Sequence, residues 1–212
     1  VRLMKDFMKE QGIDISRFCI SEYTSPSDSN NAGYSAMAIA DLERAGVESA
    51  CRTVNVDPHA PEDNISIHHT FGGLLTPKTF KPRATWWVYK RYAEMQGTLR
   101  GLVTSATTDG LAAWDPSAGQ ATILLGRYVP ETAPPKIEIA CQGMDVVSSI
   151  VRDGRVRVIA QRIENKCWEP LDAPETVLDT CVPVQENTVL IPAVPFGKWD
   201  AYWFTLTRPD EE

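Results

Sequence analysis

Apolar and polar positions change their rhythm once along this chain, near residue 97. Before that point helical spacing alternates with short apolar runs. Leu3, Met4, Phe7 and Met8 fall on one helical face with charges between them, and Gly12 supplies a stop, which predicts a helix over residues 1–11. Arg17-Phe18-Cys19-Ile20 follows as a short buried strand, with Cys19 expected in the core, and it ends in the polar Ser21-Glu22-Tyr23. A polar loop from Thr24 to Ala32 leads to a second predicted helix at Tyr34 to Ala45, closed by Gly46, and Glu48 to Val56 reads as a second strand. After a long loop from Asp57 to Phe80, Pro82 suits the start of a third helix, which places Ala84, Val88, Tyr92 and Met95 on one side and ends at Gly97. The order is α-β-α-β-α.

From Thr98 onward the runs shorten and alternate with a period of two. Leu99 to Ser105, Leu111 to Trp114, Ala121 to Tyr128, Ile137 to Ala140, Val146 to Val151, Val156 to Ile163, Thr188 to Ile191 and Ala201 to Thr207 all read as strands. Turn pairs such as Asp109-Gly110 and Asp153-Gly154 separate them, the signature of an antiparallel β-sandwich. Two domains are therefore expected, residues 1–97 and residues 98–212. Helix-strand alternation implies parallel strands joined by helical crossovers, and two strands cannot close a barrel. The fold class expected is α/β plus all-β: the last two βα units of a (β/α)8 barrel, then the β-sandwich. The chain is expected to begin inside a structural element and, after the closing alternation of Asp200 to Thr207, to include its native C-terminus.

Composition narrows the function classes. With 212 residues, 43% of them hydrophobic, the chain can bury one sizeable core or two small ones. The net charge of −7 is spread along the sequence with no basic track for a phosphate backbone, so a nucleic-acid partner is not expected. No run of about 18 apolar residues offers a membrane span, and the first ten residues are not a signal peptide. Five cysteines leave at least one unpaired, and without a C-x-x-C spacing neither a metal nor another cofactor is expected. A bridge between Cys167 and Cys181 would close a loop and suit an oxidising compartment. The Asn64-Ile65-Ser66 sequon matters only in a secreted protein, and a secreted or extracellular location is the expectation.

Candidate chemistry gathers where strands end. In a βα barrel the residues just past the C-terminal ends of strands face the active site. Glu22 holds that position and suits attack on an anomeric carbon; a Glu at a strand end also serves as the ion-pair partner of a nearby Arg or Lys. Tyr23 beside it is a candidate wall for a sugar. Asn55 and Asp57 follow the second strand and can reach a hydroxyl of a substrate, although capping its own loop is the commoner role of an Asp in this setting. His68 and His69 sit in the loop over the same face, as substrate contacts or as solvated loop residues. Trp86 and Trp87 lie on the third helix, where packing is the better account than sugar stacking.

The order of these residues resembles a known family. Phe18-Cys19-Ile20-Ser21-Glu22-Tyr23, then Phe71-Gly72-Gly73-Leu74-Leu75-Thr76, then Lys81-Pro82-Arg83-Ala84 opening an aromatic helix, is similar to the end of a clan A glycoside hydrolase, most of all family 39, the β-xylosidase and α-L-iduronidase type. The likeness covers about the first hundred residues by motif and the remainder by architecture. It implies that Glu22 is the nucleophile of a retaining double displacement on an oligo- or polysaccharide, plant-type or other. Tyr23, Asn55, Asp57, His68 and His69 would then contact the sugar. Ser49 to Val56 is plainer than the aromatic-rich eighth strand usual in the family. The clan's acid/base, in an Asn-Glu pair after the fourth strand, has no counterpart before Glu22, so the missing N-terminal part of the same barrel is the implied partner. The alternative from a different class is a non-catalytic carbohydrate-binding or structural β-sandwich protein.

Overall fold

The computed structural model describes residues 2–14, 17–23, 30–52, 73–100, 102, 107–128 and 136–210. The N-terminal part contains helix α1 (Arg2–Glu10), strand β1 (Cys19–Tyr23), helix α2 (Ala32–Arg44), strand β2 (Ser49–Arg52) and helix α3 (Ala84–Glu94). β1 and β2 pair in parallel, as alternation with helices requires, and α2 is their crossover. Asn31 caps α2 by accepting a hydrogen bond from the Tyr34 amide at 2.9 Å. Lys5 of α1 donates to the Ala45 and Gly46 carbonyls at 3.1 and 3.0 Å, placing a cation at the negative end of the α2 dipole.

The remaining strands are β3 (Thr98–Arg100), β4 (Thr108–Asp115), β5 (Gln120–Arg127), β6 (Lys136–Gln142), β7 (Arg155–Ile163), β8 (Glu175–Gln185), β9 (Thr188–Pro195) and β10 (Ala201–Thr207). They form one eight-stranded sheet in the order β3-β4-β5-β10-β7-β8-β9-β6, with every neighbouring pair antiparallel. The sandwich expectation is corrected in this respect. β8 pairs with β7 and then, through a two-residue Glu186-Asn187 turn, with β9, so the layers are joined by a shared strand rather than separate. Both turn residues have positive φ, which is the hairpin geometry that matches strand twist. β9 and β6 fold back so that Val189, Ile191 and Val194 share a core with Ile123, Val156, Val158, Tyr202 and Phe204.

A second core lies on the other side of the same sheet. Ala32, Ala36, Ile39 and Ala40 of α2, with Ala84 and Val88 of α3, pack on Leu111, Leu124, Ile163, Ala201 and Trp203. β10 is thus covered on both faces, and Ala201, Tyr202, Trp203 and Phe204 are all buried. Arg83 at the start of α3 is fully buried as well. It donates to the carbonyls of Trp168 at 2.7 Å and Gly73 at 2.9 Å and stacks over the Trp168 ring. Trp87 donates its indole N–H to the Leu171 carbonyl at 2.7 Å, which gives it a packing role.

Other parts of the chain differ from the pattern read above. Val146 to Val151 is not a strand: it forms turns and a single 3-10 turn at Ser148–Ile150 that drops Ile150 into the core. β8 was not anticipated because Asp179, Thr180 and Pro183 interrupt its apolar pattern. Cys19 is exposed rather than in the core, and all five cysteines carry free thiols, so Cys167 and Cys181 form no bridge.

A buried phenol and a half-buried one tie stability to alkaline pH. Tyr202 donates to the Pro195 carbonyl, and burial pushes its hydroxyl up to about 12. Tyr92 donates to Glu43 across the two helices and is likewise pushed up, chiefly by burial, to about 12. An unfolded phenol titrates near ~10, so above that pH the unfolded chain sheds protons that the folded one keeps. The expected result is a urea midpoint that falls between about pH 10 and 12, less steeply in Tyr202→Phe. Equal steepness in the variant would remove Tyr202 as a contributor.

Candidate functional site

The C-terminal ends of β1 and β2 lie side by side, and the polar chemistry of the N-terminal part collects there. Ile20 is opposite Ala50 and Tyr23 is opposite Arg52, so three steps along β1 answer two along β2. The extra residue is a β-bulge, which re-aims the side chains that follow it. Plain alternation would put Glu22 on the same face as Ile20. With the bulge, Ser21 and Glu22 are both exposed along with Cys19, while Tyr23 turns back, half-buried, towards the helices. On β2, Ser49 and Cys51 share the exposed side and Ala50 and Arg52 the half-buried one.

Glu22 makes no hydrogen bond or ion pair with another described residue. The ion-pair reading of this carboxylate has no partner among the described residues. Tyr23 places its hydroxyl 2.5 Å from that of Tyr89 on α3. Burial raises both phenols, Tyr89 well above the ordinary tyrosine range. The Arg52 guanidinium sits 5.8 Å from the centre of the Tyr89 ring and donates to Asn30 Oδ1 at 3.3 Å; its own pKa is lowered by burial. Thr85 of α3 donates to the same Asn30 oxygen at 3.3 Å. Arg52, Tyr89, Asn30 and Thr85 were not singled out by sequence. The signals available were a cation at a strand end and a tyrosine one position past Val88, at the margin of the buried helix face.

Asn55, Asp57, His68 and His69 lie outside the described residues, so the structure brings together only Glu22 and Tyr23 of the predicted set. Among the described residues no group of three or more His, Cys, Asp or Glu could hold a metal. No helix of the described residues is long and apolar enough to cross a membrane.

A concavity of about 870 Å³ opens between β4, β5 and β6. Its lining is mainly aliphatic, with Ile123, Leu125, Ile137 and Ile139 prominent. Arg127 there donates to the Phe196 carbonyl, and burial pushes the Cys141 thiol up to about 11, leaving it protonated and a poor nucleophile.

No protein-family model matches the chain, and no curated protein matches it. Solved structures do. The structure of N2152 from Neocallimastix frontalis is similar with a TM-score of 0.80 at 20% identity, over 98% of this chain and 49% of that one. A glucosidase from Croceicoccus marinus gives 0.64 at 13%, over 98% and 49%. The GH39 enzyme from Xanthomonas axonopodis pv. citri gives 0.59 at 15%, over 98% and 48%. The chain thus spans about half the length of these structures, and its fold is one found in glycoside hydrolases.

Proposed function

We propose that residues 1–212 belong to a retaining glycoside hydrolase of family 39 type in which Glu22 is the nucleophile. The observation that carries the reading is the bulge in β1, which brings Glu22 to the exposed face at the C-terminal end of a parallel strand. The likeness in fold to glycosidases supports it. Residues 1–97 are read as the last two βα units of a (β/α)8 barrel and residues 98–212 as an ancillary β-sandwich. The remaining barrel strands would then cover the exposed face of β1 and β2, and also the apolar side of α1, where Leu3, Met4 and Phe7 are 86%, 55% and 57% exposed.

In this reading Glu22 attacks the anomeric carbon as the bond to the leaving oxygen breaks, and a carboxylic acid from the rest of the barrel protonates that oxygen. Water, deprotonated by the same group, then releases the sugar from Glu22. The two carboxyl groups of such a pair stand about 5 to 5.5 Å apart. Asn55, Asp57, His68 and His69 are proposed to hold the sugar hydroxyls, with Tyr23 beside the nucleophile. The substrate class is an oligo- or polysaccharide.

A 2-fluorosugar with a good leaving group, incubated with the full-length protein, should leave a covalent adduct on Glu22 that peptide mass spectrometry locates. An adduct on another carboxylate, or hydrolysis catalysed by residues 1–212 alone, would sink the assignment.

A further inference from the structure

The bulge that exposes Glu22 needs something to hold it. An extra residue in a strand interrupts the ladder and is left unpaired, so the backbone bonds to β2 do not by themselves fix Ser21 and Glu22. The side chain that closes the bulge is Tyr23, whose hydroxyl meets Tyr89 at 2.5 Å. Tyr89 is well seated. It follows Val88, which is fully buried in the seam with the sheet, and its ring lies beneath the Arg52 guanidinium. Arg52 in turn bonds to Asn30, which also receives the Thr85 hydroxyl, one turn before Tyr89 on α3. A chain of contacts therefore runs from the end of β1, through α3, to the end of β2.

We propose that Tyr89 is a positioning residue for Glu22: through its hydrogen bond to Tyr23 it pins the bulge and so fixes where the carboxylate points. The inference rests on the reading of Glu22 as nucleophile. Removing either hydroxyl leaves its half-buried partner without that bond, and the bulge can then relax towards plain alternation. A displacement of about 1 Å at a reacting group costs on the order of 10²-fold in rate.

The test uses the full-length protein, an aryl glycoside and a fluorosugar that counts competent sites. Tyr89→Phe should lower kcat per labelled site by roughly 10- to 100-fold with KM held within about twofold, and slow Glu22 labelling by the same factor. Tyr23→Phe should show the same loss. The double variant should be no slower than either single, because one bond is lost in all three. Wild-type kcat in Tyr89→Phe, alongside an inactive Glu22→Gln, overturns the positioning role and leaves the nucleophile standing. Losses that multiply in the double variant also overturn it. An active Glu22→Gln removes the nucleophile and the positioning role together.

Discussion

Glu22→Gln in the full-length protein is expected to lower glycoside hydrolysis by at least about 10³-fold while leaving the thermal midpoint unchanged. The amide keeps the size of the side chain but cannot attack the anomeric carbon or stabilise the positive charge that develops on it. Stability should hold because the amide keeps the size and shape of the side chain and Glu22 bonds to no other described residue. Its removal leaves no buried donor unpaired. The smaller Glu22→Ala opens room for an external nucleophile. With azide and an aryl glycoside, the C–N bond should form as the aryl oxygen departs, giving a glycosyl azide of inverted configuration. Polarimetry or NMR of the product reads this directly. A Glu22→Gln protein that keeps a tenth of wild-type activity, or an azide product of retained configuration, would exclude Glu22 from the nucleophile's place.

The second large effect is structural, at the seam between α2 and β5. A Cβ on Gly33 would stand 2.0 Å from the Arg127 carbonyl oxygen, and one on Gly126 would stand 2.1 Å from the Gly33 carbonyl oxygen. Both obstructing atoms are backbone, so no side chain can rotate away; α2 would have to lift off the sheet. That lift would also stretch the bond from the Gly33 amide to the Trp199 carbonyl, now 2.8 Å. Gly33→Ala and Gly126→Ala are each expected to cost about 3 kcal/mol or more, the upper range of overpacking. For a cooperative unit of about 150–250 residues that corresponds to a fall of about 6 to 12 °C in Tm. Gly119→Ala is the contrast: its φ is +58° and a Cβ there meets open space. Only the left-handed backbone resists it, at about 1 kcal/mol. Equal losses at Gly33 and Gly119 in differential scanning calorimetry would show that α2 does not press on the sheet as closely as the contacts imply.

This seam bears on the site. α2 is the crossover between the strands that end at Glu22 and Arg52, and α3 carries Tyr89. Both helices are anchored on Leu124, Ile163 and Trp203 of the sheet. The sheet therefore works as the scaffold on which the strand-end residues are held.

Much of the local structure was legible in the residues. Periodicity placed α1, α2 and α3 within a few residues, and the alternation of residues 201–207 marked β10. Where reading failed, a competing force can be named. The apolar run at 146–151 had the composition of a strand, but what it delivers is one buried side chain, Ile150, from a turn. β8 hid because half-buried strands at a fold in the sheet need no strict alternation. Cys19 looked like core because short apolar runs do not say which face is covered.

At the candidate site the division is sharper. Glu22 was visible as a carboxylate at a strand end, since strand termini follow from local propensity and polarity. Its exposure depended on a bulge, and a bulge is a property of two strands in register, invisible in either one alone. Tyr89, Arg52, Asn30 and Thr85 meet across as many as 59 positions of sequence (Asn30 to Tyr89), and only packing brings them together. The sequence by itself determined the three helices, the closing strand β10 and a carboxylate at the end of β1, because these depend on short-range periodicity and polarity. The fold of the sheet over β8, the glycine seam and the polar network behind Glu22 were decided by tertiary structure, because each is a contact between residues that no local pattern relates.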